Sequence, residues 1–131
     1  MEKFYNLFTY GTLMQNFENP FAERLRSNSV FEGRGYFPGF LYLISWFPGA
    51  IYEPATDSKV HGEIYRLSSL EALLVELDDY EDVFEDEKSS LYLRKTISIT
   101  RENDDTIDCW VYLYNQSVAN LPLIADGHFR G

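Results

Sequence analysis

One stretch of this chain carries a sustained helical period, and it divides the sequence. "SSLEALLVELDDYE", beginning at Ser68, opens with a capping box in which Ser68 is the N-cap and Glu71 stands three residues on. Leu70, Leu73, Leu74 and Leu77 then follow the i, i+3, i+4, i+7 spacing of a core-facing stripe. On either side, apolar residues arrive in short strand-like runs, so the chain must build a sheet and pack this helix on it. Residues 4–10, 60–67, 91–100 and 106–114 read as strands, the last two as a hairpin turning at Asn103-Asp104-Asp105. Residues 30–43 hold further strand-like aromatic runs, broken by Gly33, Gly35 and Pro38-Gly39. Pro48-Gly49 and Asp57-Ser58 mark turns. Asn19 and Pro20 fit the N-cap and first position of a second, short helix reaching about Ser27. The expectation is a single α+β domain over residues 1–131.

Composition narrows the function classes. Hydrophobic residues make up 45%, enough for a core, and the ten Tyr, ten Phe and two Trp suit strands and pocket walls. Formal net charge is −10, and eight acidic residues with no basic one fall in "ELDDYEDVFEDE", Glu76 to Glu87. The remainder is close to neutral, with no Lys/Arg cluster to neutralise phosphates, so no nucleic-acid partner is expected. No apolar run has the length of a membrane helix and "MEKFYN" lacks a signal-peptide pattern, which predicts no membrane partner and a cytoplasmic setting. Cys109 is the single cysteine, so no internal disulfide can form, and it reads as a small core hydrophobe. His61 and His128 show no ligand spacing and no metal site is expected. Trp46 and Trp110 read as packing residues, Arg94 as paired with an acidic neighbour, Tyr92 as a wall or core residue, and Tyr114 as a pocket-lining candidate.

Two features carry candidate chemistry. The first strand ends in Tyr10 and is followed at once by Gly11, Thr12 and Leu13, a loop whose backbone N–H groups can face a ligand. The leucine stripe, extended eleven residues from Leu70, returns to the same face at Glu81, while Asp78, Asp79 and Asp82 point elsewhere. If the helix persists to residue 81, this carboxylate is aimed inward, where contact with apolar surface raises its pKa towards the range useful for proton transfer. If the helix frays at Asp78, Glu81 is solvated. Phase alone leaves both open.

In chain order, the motifs resemble the gamma-glutamylcyclotransferase-like superfamily, of the AIG2-like and gamma-glutamylamine cyclotransferase kind. "YGTL" is Tyr10 to Leu13, with a following asparagine at Asn19; Leu41-Tyr42 precedes Pro48-Gly49; "VHGEIYRL" begins at Val60; "LDDYE" ends at Glu81; "YLR" begins at Tyr92; "WVYLYN" begins at Trp110. Asp82 and Asn16 stand where the family often has glycine. The resemblance implies a small mixed β-barrel with flanking helices and a pocket at one mouth. It implies a cofactor-independent reaction in which the α-amine of a small γ-glutamyl substrate closes on its own γ-carbonyl, giving 5-oxoproline and a free amine or amino acid. It implies Glu81 as the catalytic residue and Tyr10, Gly11, Thr12 and Leu13 as substrate-binding. A non-catalytic binding domain on the same scaffold is the alternative.

Overall fold

A computed structural model of the chain describes residues 5–11, 20–27, 29–45, 47–67 and 91–130. Six strands and one helix are built from them: β1 (Tyr5–Thr9), α1 (Pro20–Ser27), β2 (Ser29–Leu43), β3 (Pro48–Tyr52), β4 (Lys59–Leu67), β5 (Tyr92–Arg101) and β6 (Thr106–Tyr114). The strand order is β3-β2-β4-β1-β6-β5, and a further pairing of β2 with β5 closes the sheet. The closed ring is therefore a five-stranded barrel of β2, β4, β1, β6 and β5, with β3 added to the outer length of β2. It is mixed, because β1 runs parallel to β6 at Leu7↔Trp110 while the other pairings are antiparallel. β1 is an interior strand, as its apolar run predicts.

The barrel is filled from alternate strand positions. Phe8, Tyr10, Phe37, Leu41, Val60, Ile64, Ile97, Ile99, Cys109 and Val111 share one core. A second cluster lies on the other face of β1 and β4, where Leu7, Tyr65 and Leu67 pack with Ala22 and Leu25 of α1. α1 is the helix found among the described residues. The predicted leucine-striped helix over 68–81 lies outside them, so the expectation of several flanking helices is not reached there.

Two local expectations change. Gly33, Gly35 and Pro38-Gly39 do not break the 30–43 segment; it is one fifteen-residue strand. Gly33, at φ 117, takes up a register shift after Phe31 in a backbone region that side chains disfavour. Pro38 stands at the junction where β2 changes partner: Pro38↔Lys59 is its last pair with β4, and Gly39↔Tyr52 its first with β3. A proline that cannot donate is tolerated at such a seam. Likewise Pro48-Gly49 is not a turn. It begins β3, and the turn falls just before it, closed by Ile44 N–H to the Phe47 carbonyl at 3.0 Å.

The C-terminal segment crosses the end of the barrel. Leu43 N–H donates to the Pro122 carbonyl at 2.9 Å, Ile124 N–H to Leu41 at 2.7 Å, and His61 N–H to Gly127 at 2.9 Å. Phe129 then enters the barrel core, 6% exposed. The segment thus ties β2 to β4 beyond the point where β1 has left β4.

Candidate active site

β1 delivers Tyr10 to the place where the barrel meets β3. The Tyr10 hydroxyl donates to the Tyr112 carbonyl of β6 and accepts the Ala50 N–H of β3 at 3.2 Å. Its ring meets Phe37 edge-on at 6.5 Å. A single phenol therefore satisfies one backbone group on each of two strands and fixes the exit of β1, from which the Gly11 loop departs. Tyr92 reaches the same strand from β5, donating its hydroxyl to the Pro48 carbonyl. Both tyrosines are buried, as befits hydroxyls that have partners.

Residues 48–50 are thus held from two sides, and Gly11 and the aromatic wall close on them. A Cβ added to Gly11 would lie 3.0 Å from the Pro48 ring. A Cβ on Gly49 would lie 2.8 Å from Tyr114 ring and Cβ atoms. At Gly49 a side chain would force Tyr114 or β3 to shift, and at Gly11 the Pro48 ring would have to give by a few tenths of an ångström. Tyr114 meets Tyr92 edge-on at 5.6 Å, and Phe47 lies 6.5 Å from Tyr92. The result is a wall of aromatic rings beside Gly11, at one end of the β5–β6 hairpin.

Of the residues expected to form the site, Tyr10, Gly11 and Tyr114 are brought together around residues 48–50. Thr12, Leu13 and Glu81 lie outside the described residues. Not expected from the residues were the strand at 48–50, against which Gly11 packs, and the Tyr112 carbonyl that accepts from Tyr10. The spacing of Pro48-Gly49 was the available signal, and it pointed to a turn. Tyr92, expected as a wall or core residue, is a buried hydrogen-bonding wall residue. Arg94 places its guanidinium 4.7 Å from the Trp110 ring centroid, a contact that the expectation of an acidic partner did not anticipate.

The cysteine is a core residue: Cys109 is 1% exposed, and burial pushes its thiol up to about 12, with Asp108 adding to the shift. A thiol so held is a poor nucleophile at neutral pH. Among the described residues no three His, Cys, Asp or Glu side chains are grouped as a metal centre would need.

A five-stranded mixed barrel with a glycine loop at the end of its first strand defines a small fold class, and comparison with known proteins places the chain in it. The family model for gamma-glutamyl cyclotransferase, AIG2-like, matches residues 7–131, and the chain belongs to that family. A Drosophila melanogaster protein, CG2811, whose name assigns it provisionally to the gamma-glutamylcyclotransferases, is 29% identical over 122 residues, covering 88% of this chain and 71% of its own. Among solved structures, an AIG2-like protein from Mus musculus is 26% identical with a TM-score of 0.77, covering 98% of this chain and 90% of that one. The protein ytfP from Escherichia coli is also 26% identical, with a TM-score of 0.67 and coverage of 95% of both chains.

Proposed function

We propose that this protein is a cofactor-independent gamma-glutamyl cyclotransferase. The observation that carries the reading is the family match over residues 7–131, a span that includes Tyr10, Pro48-Gly49 and Glu81. The close packing of Gly11 against Pro48 and of Gly49 against Tyr114 fits a loop built tightly onto β3.

The chemistry follows from the residue types. A neutral α-amine attacks the γ-carbonyl carbon of the same molecule; a C–N bond forms, a tetrahedral oxyanion develops, and the bond to the leaving nitrogen breaks. The attacking nitrogen loses a proton and the leaving nitrogen gains one, so a single carboxyl can accept the first and return it. Glu81 is assigned that shuttle from its helical phase and its place in "LDDYE". Because amine and carbonyl belong to one molecule, the protein's task is to hold the curled conformer. Backbone N–H groups at Gly11, Thr12 and Leu13 are assigned to the substrate carboxylate and the oxyanion, a role that suits an acidic chain without a cationic cluster.

The test is a screen of γ-glutamyl amino acids and γ-glutamylamines for release of 5-oxoproline by the purified protein. Turnover of one class identifies the leaving group. Absence of release across the panel, with saturable binding of the same compounds, would replace this reading by that of a non-catalytic binding domain.

A further inference from the structure

A cleft of about 660 Å³ shares no lining residue with the cluster around residues 48–50. Its walls are the outward side chains of paired strands and the end of the C-terminal segment. Arg34 and Tyr36 of β2 stand opposite Glu63 and His61 of β4, and His128 and Arg130 close the cleft from the far side. That volume falls within the range of small-molecule sites.

Both histidines of the chain line this cleft, and they are stacked. Their ring centroids are 4.0 Å apart and the planes 5° from parallel. The stack is held by the backbone, since His61 N–H donates to the carbonyl of Gly127, next to His128. The charges facing it can be counted by element. β2 gives Arg34; β4 gives Lys59, 4.6 Å from the Tyr36 ring centroid, and Glu63; the turn after β5 gives Glu102; the C-terminal segment gives Asp126 and Arg130. Three cations thus meet three anions, and the histidines decide the balance. Two of the anions are already engaged. The Tyr65 hydroxyl donates to Glu63 at 3.0 Å, and Asp126 pairs with Arg130 at 2.7 Å. Arg34 is exposed and forms no ion pair among the described residues, although it stands directly opposite Glu63. Burial, followed by the neighbouring His128 and Lys59, holds His61 below the ordinary histidine range, with Asp126 opposing. With both imidazoles neutral the cleft is balanced, and any charge the stack gains is added beside the Arg34 guanidinium.

We propose that this cleft is a second ligand site, which takes a small dianion between Arg34, Arg130 and the His61–His128 stack and binds it tightly only when the stack is protonated. A dianion resolves the repulsion that protonation creates between the stacked rings, and protonation supplies the charge that an otherwise acidic chain lacks. Binding and proton uptake are therefore coupled in both directions. The site is independent of the cyclotransferase reading.

Sulfate is the appropriate probe, because it stays dianionic through the histidine range. Its affinity is measured calorimetrically at pH 7.5 and 5.5 at constant ionic strength, and the histidine ring protons are followed by NMR across the same range. Each histidine whose pKa sulfate raises by one unit contributes about tenfold in affinity at the acid end. The expected result is at least a tenfold tightening at pH 5.5, with both histidine titrations moved upward by sulfate. Arg34→Gln, on the exposed face of β2, is expected to weaken sulfate at pH 5.5 by about fivefold or more while the protein stays folded. No binding at pH 5.5, an affinity that does not change with pH, or full affinity in Arg34→Gln would each overturn the proposal.

Discussion

At the scale of single residues, the site depends on phenols that bind backbone. Tyr10 serves a carbonyl of β6 and an N–H of β3 at once, and Tyr92 serves the Pro48 carbonyl of β3. A buried backbone group left without a partner costs about 1–3 kcal/mol. Tyr10→Phe abandons two such groups and Tyr92→Phe one, so the first variant is expected to lose more stability in chemical denaturation; equal losses would show that the second bond of Tyr10 contributes nothing. Gly49 gives a second expectation. The Cβ of Gly49→Ala would sit 2.8 Å from the side chain of Tyr114, which must move or push β3 away from β6. Substrate affinity is expected to fall severalfold, with the fold retained by circular dichroism. Cys109 offers a third: in the native protein at pH 8 it should resist thiol-disulfide reagents, and in denaturant react in full. The phenol bonds are not legible in the sequence, because they join positions about forty and one hundred residues apart and depend on the closure of the barrel.

At the scale of elements, strand period and turn chemistry carry far. β1, β4 and the β5–β6 hairpin fall within a residue or so of where alternation places them, and Asp104 adopts a positive φ of 70° within the predicted turn. Local punctuation misleads where partner strands override it. Pro38 reads as a break because the sequence cannot show that β2 changes partners at that residue, and Pro48-Gly49 reads as a turn because its pairing with Leu43 and Tyr42 is non-local. The C-terminal segment has no period at all, since it is held by isolated backbone bonds and by Phe129 in the core. That segment has its own pH dependence. The folded state holds the His61 pKa below the unfolded value of 6.5. The neutral form therefore favours folding, a contribution present in full above about pH 6.5 and lost as the pH falls through the folded pKa. In sulfate-free buffer, thermal stability is expected to decline between pH 7 and 5, and the decline should be smaller in His61→Gln. An unchanged decline in that variant would assign the effect to other groups.

At the scale of the whole molecule, β2–β5 pairing closes a barrel, and the N-terminal strand and the late hairpin, remote in sequence, meet at one end of it. The family and the mixed barrel were legible through motifs spread from Tyr10 to Asn115, whereas closure was not, because no local pattern encodes the β2–β5 seam. The proposed catalysis requires one proton shuttle on that scaffold. General acid–base catalysis contributes about 10²–10⁴-fold in rate, and Glu81→Gln keeps the shape of the side chain while removing the titratable proton. The direct test is 5-oxoproline release by Glu81→Gln beside Asp79→Asn and Asp82→Asn, on the substrate the screen identifies. The expected result is a loss of about a hundredfold or more in Glu81→Gln, with substrate binding and melting temperature little changed and the two aspartate variants close to the parent. Near-normal turnover by folded Glu81→Gln would contradict it.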